Sequence, residues 1–196
     1  MARPKSFDVE EALEQAMLLF WHKGYKATSM RELLSRMNIS RQSLYDTFGD
    51  KRKLFIRALA HYDQKLQALL APLYSPDASL EAIREHFLLF VNEIAVVPEL
   101  GACLMANAAL ELGVADKEVT EKIEAYFKKV EFLMNRAVAN AIERKDIAAH
   151  HTPESVTRLF ITIWFGLGIR ARTGAPKEEL VSVMDTAFFS ILGCQS

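Results

Sequence analysis

Cysteine is nearly absent from this chain of 196 residues: there are two, Cys103 and Cys194, far apart. That excludes a disulfide framework and reads as a cytoplasmic, reduced protein. Long apolar runs are missing too. The longest, Leu159 to Ile169, is too short to span a bilayer. The first residues are polar and lead into an amphipathic pattern rather than a secretory signal, so no membrane partner is expected. The five histidines, His22, His61, His86, His150 and His151, lack metal-ligand spacing with cysteine or acid, and no metal is expected. There is no glycine-rich phosphate loop and no serine–histidine–aspartate arrangement. No cofactor is expected, and the chain does not read as an enzyme. Gly166-Leu167-Gly168, inside a helical pattern, reads as a close-packing feature instead of a nucleotide motif. No internal repeat or low-complexity segment is visible.

Net charge is also small, at −1, but it is unevenly spread. The first 60 residues hold 11 lysines and arginines against seven aspartates and glutamates, so the remainder is acidic. A basic head on an acidic body fits phosphate binding by the head alone. Arg3 and Lys5 read either as a short basic arm or as a charged, disordered terminus.

What is present is helical periodicity. Val9, Ala12, Leu13, Ala16, Met17, Phe20 and Trp21 follow i, i+3, i+4, i+7 spacing. Asp8 caps them, Glu11 completes a capping-box pattern, and Gly24 closes the helix. Thr28 is the expected N-cap of a second, short helix carrying Met30, Leu33, Leu34 and Met37. Asn38 suits a left-handed C-terminal position, Ile39 plugs the turn, and Ser40 caps the next helix. That helix places Arg41, Gln42 and Ser43 in its first turn, faces Leu44 and Phe48 inward, and ends at Gly49. Asp50 caps a further helix whose first turn holds Lys51, Arg52 and Lys53, a place that favours a phosphate.

Two short helices joined by a tight turn form a helix-turn-helix. The leading residues of the second helix meet base edges in a major groove. Arginine forks onto guanine and glutamine onto adenine. We therefore expect Arg41, Gln42 and Ser43 to read bases. Thr28, Ser40, Tyr45, Thr47 and Lys51 are expected to position phosphates, and Ser29 is counted with them among the DNA-binding residues. Asp46 counts against a simple DNA-facing surface. Its side chain is expected to point away from the phosphates or to cap a local group.

Residues 7–55 resemble the TetR family of bacterial transcriptional regulators. The resemblance lies in LFWHKGYKATSM at the end of the first helix, in the Ile39-Ser40 turn, and in LYDTFGDKRKLF. It covers about a quarter of the chain. The rest agrees in length and helical character.

Helical patterns continue to the end, with no convincing strand. They cover Leu54–Leu73, a segment capped by Ser79 and bounded by Pro98, Cys103–Leu112, Glu118–Lys145, Pro153–Ala171 and Pro176–Gly193. The last two helices are apolar over more than one face, a surplus that implies a second partner. In the family such helices pair across a two-fold axis as a four-helix bundle, so the resemblance implies a homodimer reading a palindrome in double-stranded DNA.

The resemblance also implies a small-molecule effector held by the middle helices. Candidate lining residues are Phe87, Phe90, Val91, Cys103, Leu104, Asn107, Glu111, Phe127, Met134 and Trp164. Core packing is the alternative for the aromatics. Asn107 and Glu111 either share a cavity, cap a neighbouring helix or face solvent. Cys103, at the start of its helix, is either a reactive thiol or an inert buried one.

The expectation is an all-α chain. Residues 1–52 form a three-helix helix-turn-helix DNA-binding head. Residues 53–196 form a larger helical domain for effector binding and dimerisation. The protein reads as a ligand-responsive transcriptional regulator, and repression is the favoured sign. The alternative is a helical ligand-binding or electrophile-sensing protein, acting through Cys103, with an output other than simple repression.

Overall fold

The computed structural model describes residues 7–97, 100 and 103–192, with Val114 described by its backbone only. The basic arm at Arg3 and Lys5, the boundary at Pro98 and the terminal Cys194 lie outside the described residues. Among those described, nine α-helices follow one another. They are α1 (Val9–Lys23), α2 (Met30–Met37), α3 (Arg41–Phe48), α4 (Lys51–Leu70), α5 (Leu80–Val96), α6 (Leu104–Leu112), α7 (Lys117–Glu143), α8 (Pro153–Arg172) and α9 (Lys177–Ile191). The described residues form no strand. One isolated antiparallel bridge joins Ile147 and Leu192.

Contacts divide the chain into two units, one of residues 1–65 with 104–124, the other of residues 66–103 with 125–196. This differs from a division after residue 52. The first turns of α4 and the whole of α6 belong with the head.

The core of the first unit is aromatic. Phe20 stands edge-on to Phe55 at 5.0 Å, and Trp21 edge-on to Tyr62 at 4.8 Å. Leu33, Met37, Leu44, Phe48, Leu54 and Leu59 close around them, all buried. Edge-to-face pairs contribute about 0.5–1.5 kcal/mol each beyond their buried area.

In the second unit α5 packs on α8 and α9. Phe87, Phe160 and Phe188 meet there, with ring centres 4.8–5.6 Å apart. The helix expected to reach Leu73 stops at Leu70 and passes into a 3₁₀ turn, Ala71–Tyr74, because Pro72 has no N–H to continue the α ladder. The carbonyls of the α4–α5 connection are held by one face of α7 and by Arg144, the residue just past its end. Arg136 donates to the carbonyls of Leu73, Tyr74 and Ser75. Asn140 donates to those of Pro76 and Ala78, and Arg144 to that of Asp77. Ser79 sits at the N-cap of α5 without a capping hydrogen bond; Arg144 donates to its hydroxyl at 3.3 Å.

Gly166 is not close-packed within the chain: a Cβ there would meet nothing within 4 Å. Gly168, two residues on, is buried.

Candidate nucleic-acid interface

The turn between α2 and α3 is fixed by local chemistry. Ser29, not Thr28, is the N-cap of α2. Its hydroxyl accepts from Glu32 N–H while the Glu32 carboxylate accepts from Ser29 N–H, a complete capping box. Thr28 is 1% exposed, and its hydroxyl donates to the Gly24 carbonyl at 2.6 Å. The expected phosphate contact from the Thr28 hydroxyl is therefore corrected: that group is buried and closes the α1–α2 turn. The expected box at α1 is also incomplete. Asp8 accepts from Glu10 and Glu11 N–H, but the Glu11 side chain turns to Gln15. Glu32 also pairs with Lys23, and these bonds hold its carboxyl down at about 2.

At the end of α2, Asn38 is left-handed at φ 52°, and Ile39 follows as the partly buried plug. Ser40 then caps α3, accepting from Ser43 N–H at 3.0 Å. Leu44 and Phe48 are buried, so helical geometry turns Arg41 and Gln42 outward, and both are exposed. Tyr45 is exposed as well, and Thr47 is half-buried. Gln42 donates its amide to Asp46 at 2.8 Å. Asp46, expected to point away from the phosphates or to cap a local group, is thus the local partner of a base-reading candidate.

At the start of α4 the three basic residues have different fates. Asp50 caps the helix, accepting from Lys53 N–H at 2.8 Å. The Lys51 ammonium stands over the Tyr25 ring at 4.5 Å. Burial pushes its pKa down, against the opposing charges of Glu111 and Glu32. Arg52 is gripped by Asp116 through two hydrogen bonds, 2.6 and 2.8 Å, with Glu118 at 3.0 Å. The Asp116 bonds raise the guanidinium pKa further and lower that of Asp116. Arg52 is a structural clamp, whereas Lys26, Arg31, Arg36, Arg41 and Lys53 are exposed.

The effector candidates separate. Phe87, Phe90, Val91, Cys103, Phe127, Met134 and Trp164 fall in the second unit, and Leu104, Asn107 and Glu111 in the first. Neither unit by itself brings all ten together. Glu111 is corrected as a ligand contact. Its carboxylate accepts from the backbone N–H of Tyr25 at 2.7 Å and of Lys26 at 3.2 Å. Asn107 is half-buried and Leu104 buried. Within the second unit Trp164 neighbours Phe90 at 5.4 Å, Tyr126 at 6.5 Å and Phe165 at 5.6 Å, and Phe127 meets Phe165 at 5.5 Å. Val91 and Met134 are fully buried. Cys103 precedes α6 and is 5% exposed, which shields its thiol from solvent. Among the described residues no helix is long and apolar enough to cross a membrane, and no group of three or more potential ligands could hold a metal.

A capped α2, a left-handed turn and a short α3 with an exposed leading edge define a helix-turn-helix DNA-binding regulator. Residues 12–58 match the profile of bacterial regulatory proteins of the tetR family, and residues 78–187 match the tetracyclin repressor-like C-terminal domain. The chain belongs to the TetR family.

It is 33% identical over 162 residues to the uncharacterized HTH-type transcriptional regulator YezE of Bacillus subtilis, covering 82% of this chain and 84% of that one. The HTH-type transcriptional repressor ComR of Escherichia coli is 28% identical over 186 residues, covering 94% and 89%. A cysteine mutant of the TetR family regulator CifR, solved with 26-base-pair operator DNA, superposes with a TM-score of 0.82 at 30% identity, covering 96% of this chain and 99% of that one.

Proposed function

We propose that this regulator is a repressor that binds a palindromic operator as a homodimer and releases it when a small, mostly apolar effector occupies the C-terminal unit. The observation that carries the reading is the leading edge of α3, where Arg41 and Gln42 are exposed beside a serine-capped N-terminus. Arg41, Gln42 and Ser43 read bases. Ser29, Ser40, Tyr45, Thr47 and Lys51 position the backbone. Repression is supported by the names of the relatives, among them ComR and BdcR of E. coli, both called repressors.

The dimer is supported by what α8 and α9 leave uncovered. Leu159 and Ile169 are 40% and 57% exposed, Val183 and Phe189 44% and 78%. Fully burying one such side chain contributes about 1.5–3 kcal/mol. One head reads too few base pairs, and two heads read half-sites about one helical turn apart, roughly 34–36 Å. The effector acts only if it binds one spacing of the heads better than the other. The aromatic cluster around Trp164 suits an apolar ligand.

Selection of duplex DNA from a random pool at near-physiological salt tests the reading. A palindrome with half-sites about one turn apart is the expected result. No enrichment by folded, dimeric protein overturns it.

A further inference from the structure

His86 and Trp164 are neighbours in the second unit, with ring centres 5.5 Å apart. They are 0% and 2% exposed. The Nδ1 of His86 lies 2.8 Å from the Leu69 carbonyl. A carbonyl only accepts, so Nδ1 carries the proton. Burial pushes the imidazole pKa down, against the effect of that hydrogen bond. The ring is neutral, and Nε2 is a bare lone pair that can only accept. The indole Nε1–H of Trp164 can only donate. Neither His86 Nε2 nor Trp164 Nε1 has a hydrogen-bond partner among the described residues. Leaving two buried polar atoms unmet is costly and calls for an explanation.

The requirement is asymmetric. A partner must bring a donor to Nε2 and an acceptor to Nε1, and a single hydroxyl supplies both. A carbonyl or ether would leave Nε2 unmet. A carboxylate would bring a charge into a neutral aromatic site. Phe90 and Phe87, with ring centres 5.4 Å from Trp164 and 5.8 Å from His86, are the apolar neighbours of the pair.

We propose that His86 and Trp164 form the polar subsite of the effector site, and that the effector is a neutral, mostly apolar hydroxyl compound, a phenol or alcohol, whose O–H donates to His86 Nε2 while its oxygen accepts from Trp164 Nε1. This rests on the effector reading and names the chemistry of that site. A buried water offers the same two hydrogen bonds, so the test separates the two sources.

The chain has two tryptophans, so the indole N–H resonance of Trp164 is assigned by Trp164→Phe in the full-length protein. The probes are matched pairs: phenol and toluene, cyclohexanol and methylcyclohexane, 1-naphthol and 1-methylnaphthalene. At least one hydroxyl member is expected to shift the Trp164 resonance downfield and to bind roughly tenfold tighter than its methyl partner. Trp164→Phe, which keeps an aromatic ring, is expected to erase that preference. His86→Asn, which keeps a donor for Leu69, is expected to do the same.

The inference is overturned if every pair binds alike, if no hydroxyl probe moves the Trp164 resonance, or if that resonance reports a slowly exchanging water that no probe displaces. Operator release by the same probes is read in parallel. Release by hydroxyl and methyl members alike sinks the hydroxyl subsite and leaves the effector reading standing. A hydroxyl probe seated on Trp164 without release leaves the subsite and sinks its role as effector site.

Discussion

The Glu111 carboxylate occupies the place a side chain at Gly24 would need: a Cβ on Gly24 would lie 1.9 Å from Glu111 Oε1. The same carboxylate accepts from Tyr25 and Lys26 N–H. Gly24 itself has φ 85° and ψ 165°, a conformation nearly confined to glycine. Gly24→Ala should therefore cost about 1–3 kcal/mol in backbone strain alone. Glu111→Ala should cost about 1–3 kcal/mol by leaving N–H groups unmet. Because the alanine methyl collides with the group that the second substitution removes, the double variant should be more stable than the sum of the singles predicts, by about 0.5–3 kcal/mol. Urea denaturation of the four proteins measures this, and strict additivity would remove the coupling.

Arg41 and Lys51 should fail in different ways. Arg41→Ala is expected to cost about 1–3 kcal/mol on the preferred site and to relax the preference at one base position. Lys51→Ala is expected to weaken all sequences about equally and to lower the salt slope by about one. Lys51 also covers the Tyr25 ring, so its melting curve is needed beside the binding curve. If Arg41→Ala selects the same sequence as the parent chain, its assignment to base reading is wrong.

Local signals were legible and long-range ones were not. Ser40, Asn38 and Asp50 act where the sequence placed them, because a cap or a left-handed residue is decided by its neighbours within one turn. Thr28 and Ser29 are adjacent hydroxyls that both suit a cap. Glu32, three residues after Ser29, decides between them. Gln42 and Asp46 stand i,i+4, so their hydrogen bond was available from spacing. The Arg52–Asp116 clamp, the seat of Glu111 and the hold of Arg136 and Asn140 on the α4–α5 connection join distant segments. Periodicity tells which face of a helix is buried, not which carbonyl or carboxylate it meets. The same limit explains why the ten effector candidates, all on plausible buried faces, fall into two units.

Gly166 offers a test of the dimer. It lies seven residues after Leu159, on the same side of α8, and a Cβ there meets nothing in its own chain. Within one chain, Gly166→Leu should be neutral or stabilising by about 1 kcal/mol through helix propensity. If the face is shared with a second copy, the added side chain overpacks it at a cost of about 1–3 kcal/mol, and dimer affinity falls by roughly tenfold or more. Light scattering across a dilution series separates the two. An unchanged dimer would place the interface elsewhere.

Stability should depend on pH through His86. Its imidazole is fully buried, and burial pushes its pKa below the ordinary value. In the unfolded chain the same group titrates near about 6.5. Between the two pKa values the unfolded state binds the proton and the folded state does not, so protonation favours unfolding. The stability is whole above about pH 6.5 and falls as pH drops toward the folded-state pKa. Glu14, Glu32 and Asp116 are held below the usual carboxylate range. Their contributions also fade on acidification, but only below about pH 4.5, where free carboxylates protonate. Urea denaturation at intervals from pH 7.5 to 5 should show a decline beginning near pH 6.5. His86→Asn, which has no titrating ring, should flatten that decline. An equal slope in both proteins would assign it to other groups and would mean that His86 takes up its proton as readily when folded as when unfolded.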